Sequence, residues 1–229
     1  MGPAGVQRVR DAETMLAEAR RALWVMVILL AIIWTVQIIN WAVGYRLSAD
    51  LGIRTREVDS LPDILTAPFL HFGWSHIEAN SGPLFIFGFL AAYRGVRKFL
   101  GVTALVVLMS GLGAWFTSAP DTVGAGASGV VFGYFGYIIV RGFFDGHRID
   151  IAIGLVMALS FAYQFAVLVP AEGVGWQAHL FGFIGGVLGG WIFRERKRAL
   201  PPGTPDQPPP PSPANPASAV LKELDDLGL

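Results

Sequence analysis

The feature that leaves this chain the least choice is an uncharged apolar run, ALWVMVILLAIIWTVQIINWAV, from Ala22 to Val43. At 1.5 Å per residue, a helix of that length crosses a hydrocarbon layer about 30 Å thick. Backbone polar groups find no water there, so the run has to satisfy its own hydrogen bonds as a helix. Comparable stretches recur at about Ser75 to Tyr93, Phe99 to Ser118, Gly126 to Val140, Ile151 to Val169 and Trp176 to Phe193. The expected fold is an all-α polytopic membrane protein, a bundle of six transmembrane helices with a large first outer loop. Composition agrees: charged residues make up 15% of the chain, against about a quarter in soluble domains, and mean hydropathy is +0.53.

Basic and acidic residues balance at 17 each, which gives no footing for a nucleic-acid partner. The absence of cysteine excludes a disulfide framework, a thiol nucleophile and a thiolate metal site. Any nucleophile is then a hydroxyl, a carboxylate or an amine.

The distribution of charge sets the orientation. Fourteen of the 17 Lys and Arg lie before span one, in the turns with Arg94, Arg97 and Lys98 or Arg141 and Arg148, and after span six. Arg46, Arg54 and Arg56 lie in the connection 44–74. The positive-inside rule then predicts a multi-pass protein of the cell membrane with both termini in the cytoplasm. Residues 1–21 are polar and basic, without the apolar core and cleavage site of a signal peptide, and read as a cytoplasmic segment. Residues 22–193 form the membrane domain, and 194–229 a basic and then proline-rich tail. PPGTPDQPPPPSPANPA reads as an extended linker, and the closing VLKELDDLGL, which has the pattern of a short amphipathic helix, as a frayed soluble end, with a docking motif as the alternative. The connection 44–74 starts polar and ends in the aromatic LTAPFLHFGW, the pattern of a structured loop lying partly in the interface.

Polar groups inside spans are costly and point to function. Here they are Gln37 and Asn40 in span one, His76, Glu78 and Asn80 in span two, Ser128 in span four, Gln164 in span five, and Gln177 and His179 in span six. Spans two, four and six all start from the outer face, so His76, Asn80, Ser128 and His179 share one level. His76 and Asn80, four apart, project from one stripe. Ala178, Gly182, Gly186 and Gly190 form a small-residue ridge, as Gly129 and Gly133 do in span four, and such ridges let membrane helices approach. Each observation has a plainer reading: glycine ridges are usually only packing, a serine often bonds its own helix, and a histidine can sit satisfied in a core. Their shared depth is what those readings leave unexplained.

The chemistry open to the set is acyl transfer. Imidazole activates a hydroxyl near neutral pH, and preorganised donors stabilise the oxyanion that follows. Ser128 and His179 form a two-residue pair, with no acidic partner for the histidine in view. His76, Asn80 and the Ser128 N–H at a helix N-terminus supply donors. A metal site built from His71, His76, Glu78 and His179 lacks an HExxH spacing, and neither metal nor cofactor is expected.

The chain closely resembles the rhomboid intramembrane serine proteases of bacterial type. HFGWSHIEAN resembles the family's HxxxN element, GASGVVFGYFGY its GxSG element and AHLFGFIGG its AHxxG element. The resemblance covers roughly Ala22 to Phe193. It implies Ser128 as nucleophile, His179 as general base and acid, His76, Asn80 and the Ser128 N–H as oxyanion donors, and Gly126, Gly129, Phe132 and Gly182 as supporting positions. It further implies cleavage of a peptide bond in or near a transmembrane helix of another protein, with local unwinding, a small residue before the cut and water reaching the site from outside. The partners are thus transmembrane proteins and the lipid bilayer. Three positions depart from the pattern. Phe132 stands where tyrosine is common, Pro62 and Asp63 replace a Trp-Arg pair, and Glu78 is unusual within a span and is expected to border the water cavity. A rhomboid-fold protein that binds transmembrane clients without cutting them is the alternative. A transporter would need broken helices with ionisable pairs at mid-membrane.

Overall fold

A computed structural model describes residues 3–170 and 175–195, with backbone alone for 3–11. The proline-rich tail and its closing segment lie outside the described residues. The helices are α1 (Pro3–Ala42), α2 (Arg46–Asp50), α3 (Trp74–Ala92), α4 (Val96–Thr117), α5 (Ser128–Asp145), α6 (Arg148–Ser160) and α7 (Trp176–Ile192). Two short strands, β1 (Ile53–Arg54) and β2 (Val123–Gly124), pair antiparallel, with Ile53 opposite Gly124.

Among the described residues, two helical stretches are long and apolar enough to cross a membrane: Ala12–Ala42 of α1, and α4. A third counts if α6 and the 3₁₀ turn after it are taken as one bent span. The protein is therefore a helical membrane protein. α7 has only 17 residues, and polar or charged groups dilute α3 and α5. Those helices gain support from neighbours.

α5 is the centre of the bundle. Every residue from Gly129 to Ile138 is buried, so the helix has no lipid or water face over that length. Glycines make this possible. A Cβ at Gly182 would run into the carbonyl of Gly129, and one at Gly186 into that of Gly133. The two small-residue ridges therefore do seat α7 against α5, backbone to backbone. On the other sides Phe87 of α3 packs on Phe135, ring centroids 5.0 Å apart, and Tyr134 shares a hydrogen bond with Thr103 of α4 at 2.7 Å. α1 lies outside α3, with Trp34 Nε1 donating to Ser81 at 3.0 Å.

The helix starting at Arg148 is not the continuous span expected as Ile151 to Val169. It ends at Ser160 and the chain turns by 69° into a 3₁₀ turn, Ala162–Leu168. No proline or glycine forces this. The cause is aromatic anchoring: Phe161 stands edge-on to Phe87 at 4.9 Å, and Phe165 meets Phe135 at 5.4 Å, so the segment folds in over α5. Ionic contacts close the opposite end. Arg141, counted as a turn residue in the sequence, lies inside α5 and is 2% exposed. It donates to Asp150 of α6, 1% exposed, at 3.2 Å and to the Leu90 carbonyl at 2.6 Å. Arg94 pairs with the same carboxylate. Gly146, at φ 70°, caps α5 in the left-handed conformation and lets α6 double back.

Candidate active site

The N-terminus of α5 fixes the geometry. Gly126 has φ 140°, a conformation open to glycine, and a Cβ there would lie 2.8 Å from His76 Cε1. Its N–H donates to the Ala67 carbonyl at 2.9 Å, and the Ala127 N–H donates to Nε2 of His71 at 3.3 Å. Ser128 is the first residue of the helix. Its N–H has no acceptor among the described residues, as expected for the orphan donors of a first turn. Pairing of β1 with β2, together with a 2.8 Å hydrogen bond between the hydroxyls of Thr55 and Thr122, ties the 44–73 connection to the strand that leads into this turn.

His179 stands one turn inside α7. Its Nδ1 lies 3.1 Å from the Val167 carbonyl, and its ring stacks on Phe132 with centroids 4.5 Å apart. A carbonyl only accepts, so the proton sits on Nδ1 and Nε2 keeps its lone pair. The bend after α6 is what delivers Val167. Ser110 of α4 donates to the Ala178 carbonyl at 2.9 Å and fills the space beside Gly129, steadying the residue next to His179.

A cavity of about 740 Å³ is lined by His76, Asn80, Gly126, Ser128, Phe132 and His179, among others. Gly129 also borders it, while Gly182 lies against the Gly129 carbonyl. Some expected relationships are absent. No hydrogen bond joins Ser128 to His179 among the described residues, and Asn80 Nδ2 donates to the His76 carbonyl of its own helix at 3.0 Å. Glu78 is exposed and off the cavity lining, so it does not border the cavity as expected. That also separates it from the four-residue metal set. The described residues bring together a different group, Asp145, His147 and Asp150, but the Asp150 carboxylate there is already taken by Arg94 and Arg141. Sequence reasoning missed two partners: the Val167 carbonyl, which no side-chain pattern reveals, and the His71 ring, five residues ahead of His76 and so off any helical stripe.

A family model described as the Rhomboid domain matches residues 59–196, well over half of the chain. The chain belongs to the Rhomboid family. This rhomboid is 32% identical to an uncharacterized protein of Mycobacterium tuberculosis, over 86% of its own length and 85% of that protein's. It is 29% identical to the putative rhomboid protease YdcA of Bacillus subtilis, over 58% of this chain and 68% of that one. With the rhomboid protease GlpG of Haemophilus influenzae it shares 29% identity over 54% of its length and 65% of the relative's. The match begins at residue 59, so α1, α2 and β1 lie outside the part of this rhomboid that the family model covers.

Proposed function

We propose that this protein is an intramembrane serine endopeptidase that cuts transmembrane segments of other membrane proteins with Ser128 as nucleophile and His179 as base. The observation that carries the reading is that Ser128, at an uncapped helix N-terminus, and His179, with its proton committed to the Val167 carbonyl, line one cavity. Family membership and the two relatives named as rhomboid proteases support it.

In this mechanism His179 Nε2 takes the Ser128 proton as the oxygen attacks the scissile carbonyl. The tetrahedral oxyanion faces the free Ser128 N–H and the side chains of His76 and Asn80, with the helix dipole of α5 adding to the attraction. The imidazolium then protonates the leaving amine, and water repeats the sequence on the acyl-enzyme. The Ser128–His179 hydrogen bond has to close as substrate arrives, as catalytic contacts in free enzymes often do. The arrangement proposed around the site is six spans across residues 22–193, in the cell membrane, with both termini in the cytoplasm.

The deciding experiment is cleavage of a single-span substrate in liposomes by the wild type and Ser128→Ala. Cutting by the wild type alone is expected. Equal cutting by both, or by neither, removes Ser128 from the role. The open Ser128–His179 pair also suits a protein that binds transmembrane clients without cutting them. A fluorophosphonate that labels the wild type and spares Ser128→Ala argues against that second reading.

A further inference from the structure

The imidazole of His71 is fully buried, and among the described residues its one hydrogen bond is that accepted from the Ala127 N–H. Its Nδ1 is buried with no partner among the described residues, so packing does not explain a histidine here. A phenyl ring would fill the same space and remove the unpaired Nδ1, but it would leave the Ala127 N–H without its acceptor. What the imidazole adds is an acceptor at Nε2, placed one residue before Ser128.

The donor it holds matters. Gly126 and Ala127 spend their N–H groups on Ala67 and His71, and the next N–H, that of Ser128, is the one assigned above to the oxyanion. The next peptide is held on its other side, with the Ala127 carbonyl accepting from the N–H groups of Val130 and Val131 at 2.9 and 3.0 Å, so the bond to His71 fixes the plane through which the chain enters the first turn of α5. The backbone of His71 is held in turn. Asn40 Nδ2 and Ser48 Oγ donate to its carbonyl at 3.0 and 3.1 Å, and the Ser48 N–H donates to Asn40 Oδ1 at 3.2 Å. Asn40 and Ser48 are also fully buried.

We propose that His71 is a positioning residue for the nucleophile: its unprotonated Nε2 holds the Ala127 N–H, and Asn40 and Ser48 hold His71, so that the first turn of α5 presents Ser128 to the cavity. The inference rests on Ser128 being the nucleophile. It makes α1 and α2, which precede the matched family domain, part of the framework of the site.

His71→Gln returns an acceptor near the position of Nε2, whereas His71→Phe fills the space without one. In liposomes, H71F is expected to lower kcat by about 10²-fold with KM unchanged, and H71Q to recover most of that loss. Fluorophosphonate labelling of Ser128 should follow kcat. Should H71F fail to fold, H71N replaces it, since its acceptor stops one methylene short, and H71N should then be much slower than H71Q. A rate for H71Q no better than for H71F or H71N, or a loss confined to KM, overturns the inference while a cleaving wild type leaves the nucleophile in place. A wild type that neither cleaves nor labels overturns both.

Discussion

Phe132 lies nearly flat against His179, ring centroids 4.5 Å apart and planes 23° from parallel. The two residues belong to α5 and α7, so the stack spans the helix pair that the glycine ridges bring together. It holds one face of the imidazole while the Val167 carbonyl holds its Nδ1 edge. The tyrosine hydroxyl common at this position in the family has no part in either contact.

Phe132→Tyr should therefore leave turnover within about a factor of three, and Phe132→Leu should lower it several-fold, since an aromatic pair is worth about 0.5–1.5 kcal/mol beyond its area. Steady-state cleavage rates of the two variants check this. A leucine variant as fast as the wild type would reduce the stack to packing.

Gly182→Ala and Gly186→Ala should each destabilise the fold by about 1–3 kcal/mol, because the added methyl meets backbone carbonyls of α5 that have nowhere to go. Gly82→Ala is the control. Its Cβ meets nothing within 4 Å, and alanine is the better helix former by roughly 0.5–1 kcal/mol. Thermal unfolding in detergent should rank Gly82→Ala at or above the wild type and both α7 variants below it.

Asp150→Asn should cost about 3–5 kcal/mol, as removing one partner of a buried pair does. Arg141, 2% exposed, would keep its charge with the facing carboxylate gone. Denaturant titration measures the loss. A variant as stable as the wild type would mean that the Leu90 carbonyl alone satisfies the guanidinium.

Stability should also fall as the solution is acidified. Burial, reinforced by the neighbouring His76, holds the His71 imidazole down at about 4 from an ordinary value of 6.5. The folded state therefore binds this proton less readily than the unfolded one. The neutral ring's contribution is complete above about pH 6.5 and is lost as pH falls towards 4, by about 3 kcal/mol at most. Unfolding midpoints between pH 7.5 and 4 should show the decline, and His71→Gln should flatten it.

Much of the bundle was legible because hydropathy and glycine spacing act locally. The boundaries expected for the second, third and sixth spans lie within a few residues of α3, α4 and α7. What escaped depends on partners far along the chain. The turn at Phe161 is set by Phe87 and Phe135, not by a breaker in its own segment. Arg141 reads as a turn charge until Gly146 reverses the chain and Asp150 comes back against it. In the candidate site the four polar side chains stood out because a membrane makes them expensive. The groups that orient them did not, since Val167 acts through its carbonyl and His71 accepts from a backbone amide.

α1 has a consequence beyond the bundle. It runs unbroken through 40 residues, Pro3 to Ala42, which at 1.5 Å per residue is about 60 Å of rod. The hydrocarbon layer takes up about half of that. Asn40 joins one end of the rod to the carbonyl of His71, and the helix has about half of its length to spare over what such a layer needs. A rigid helix of that length holds its two ends at a set separation, with the bundle as the footing of one of them.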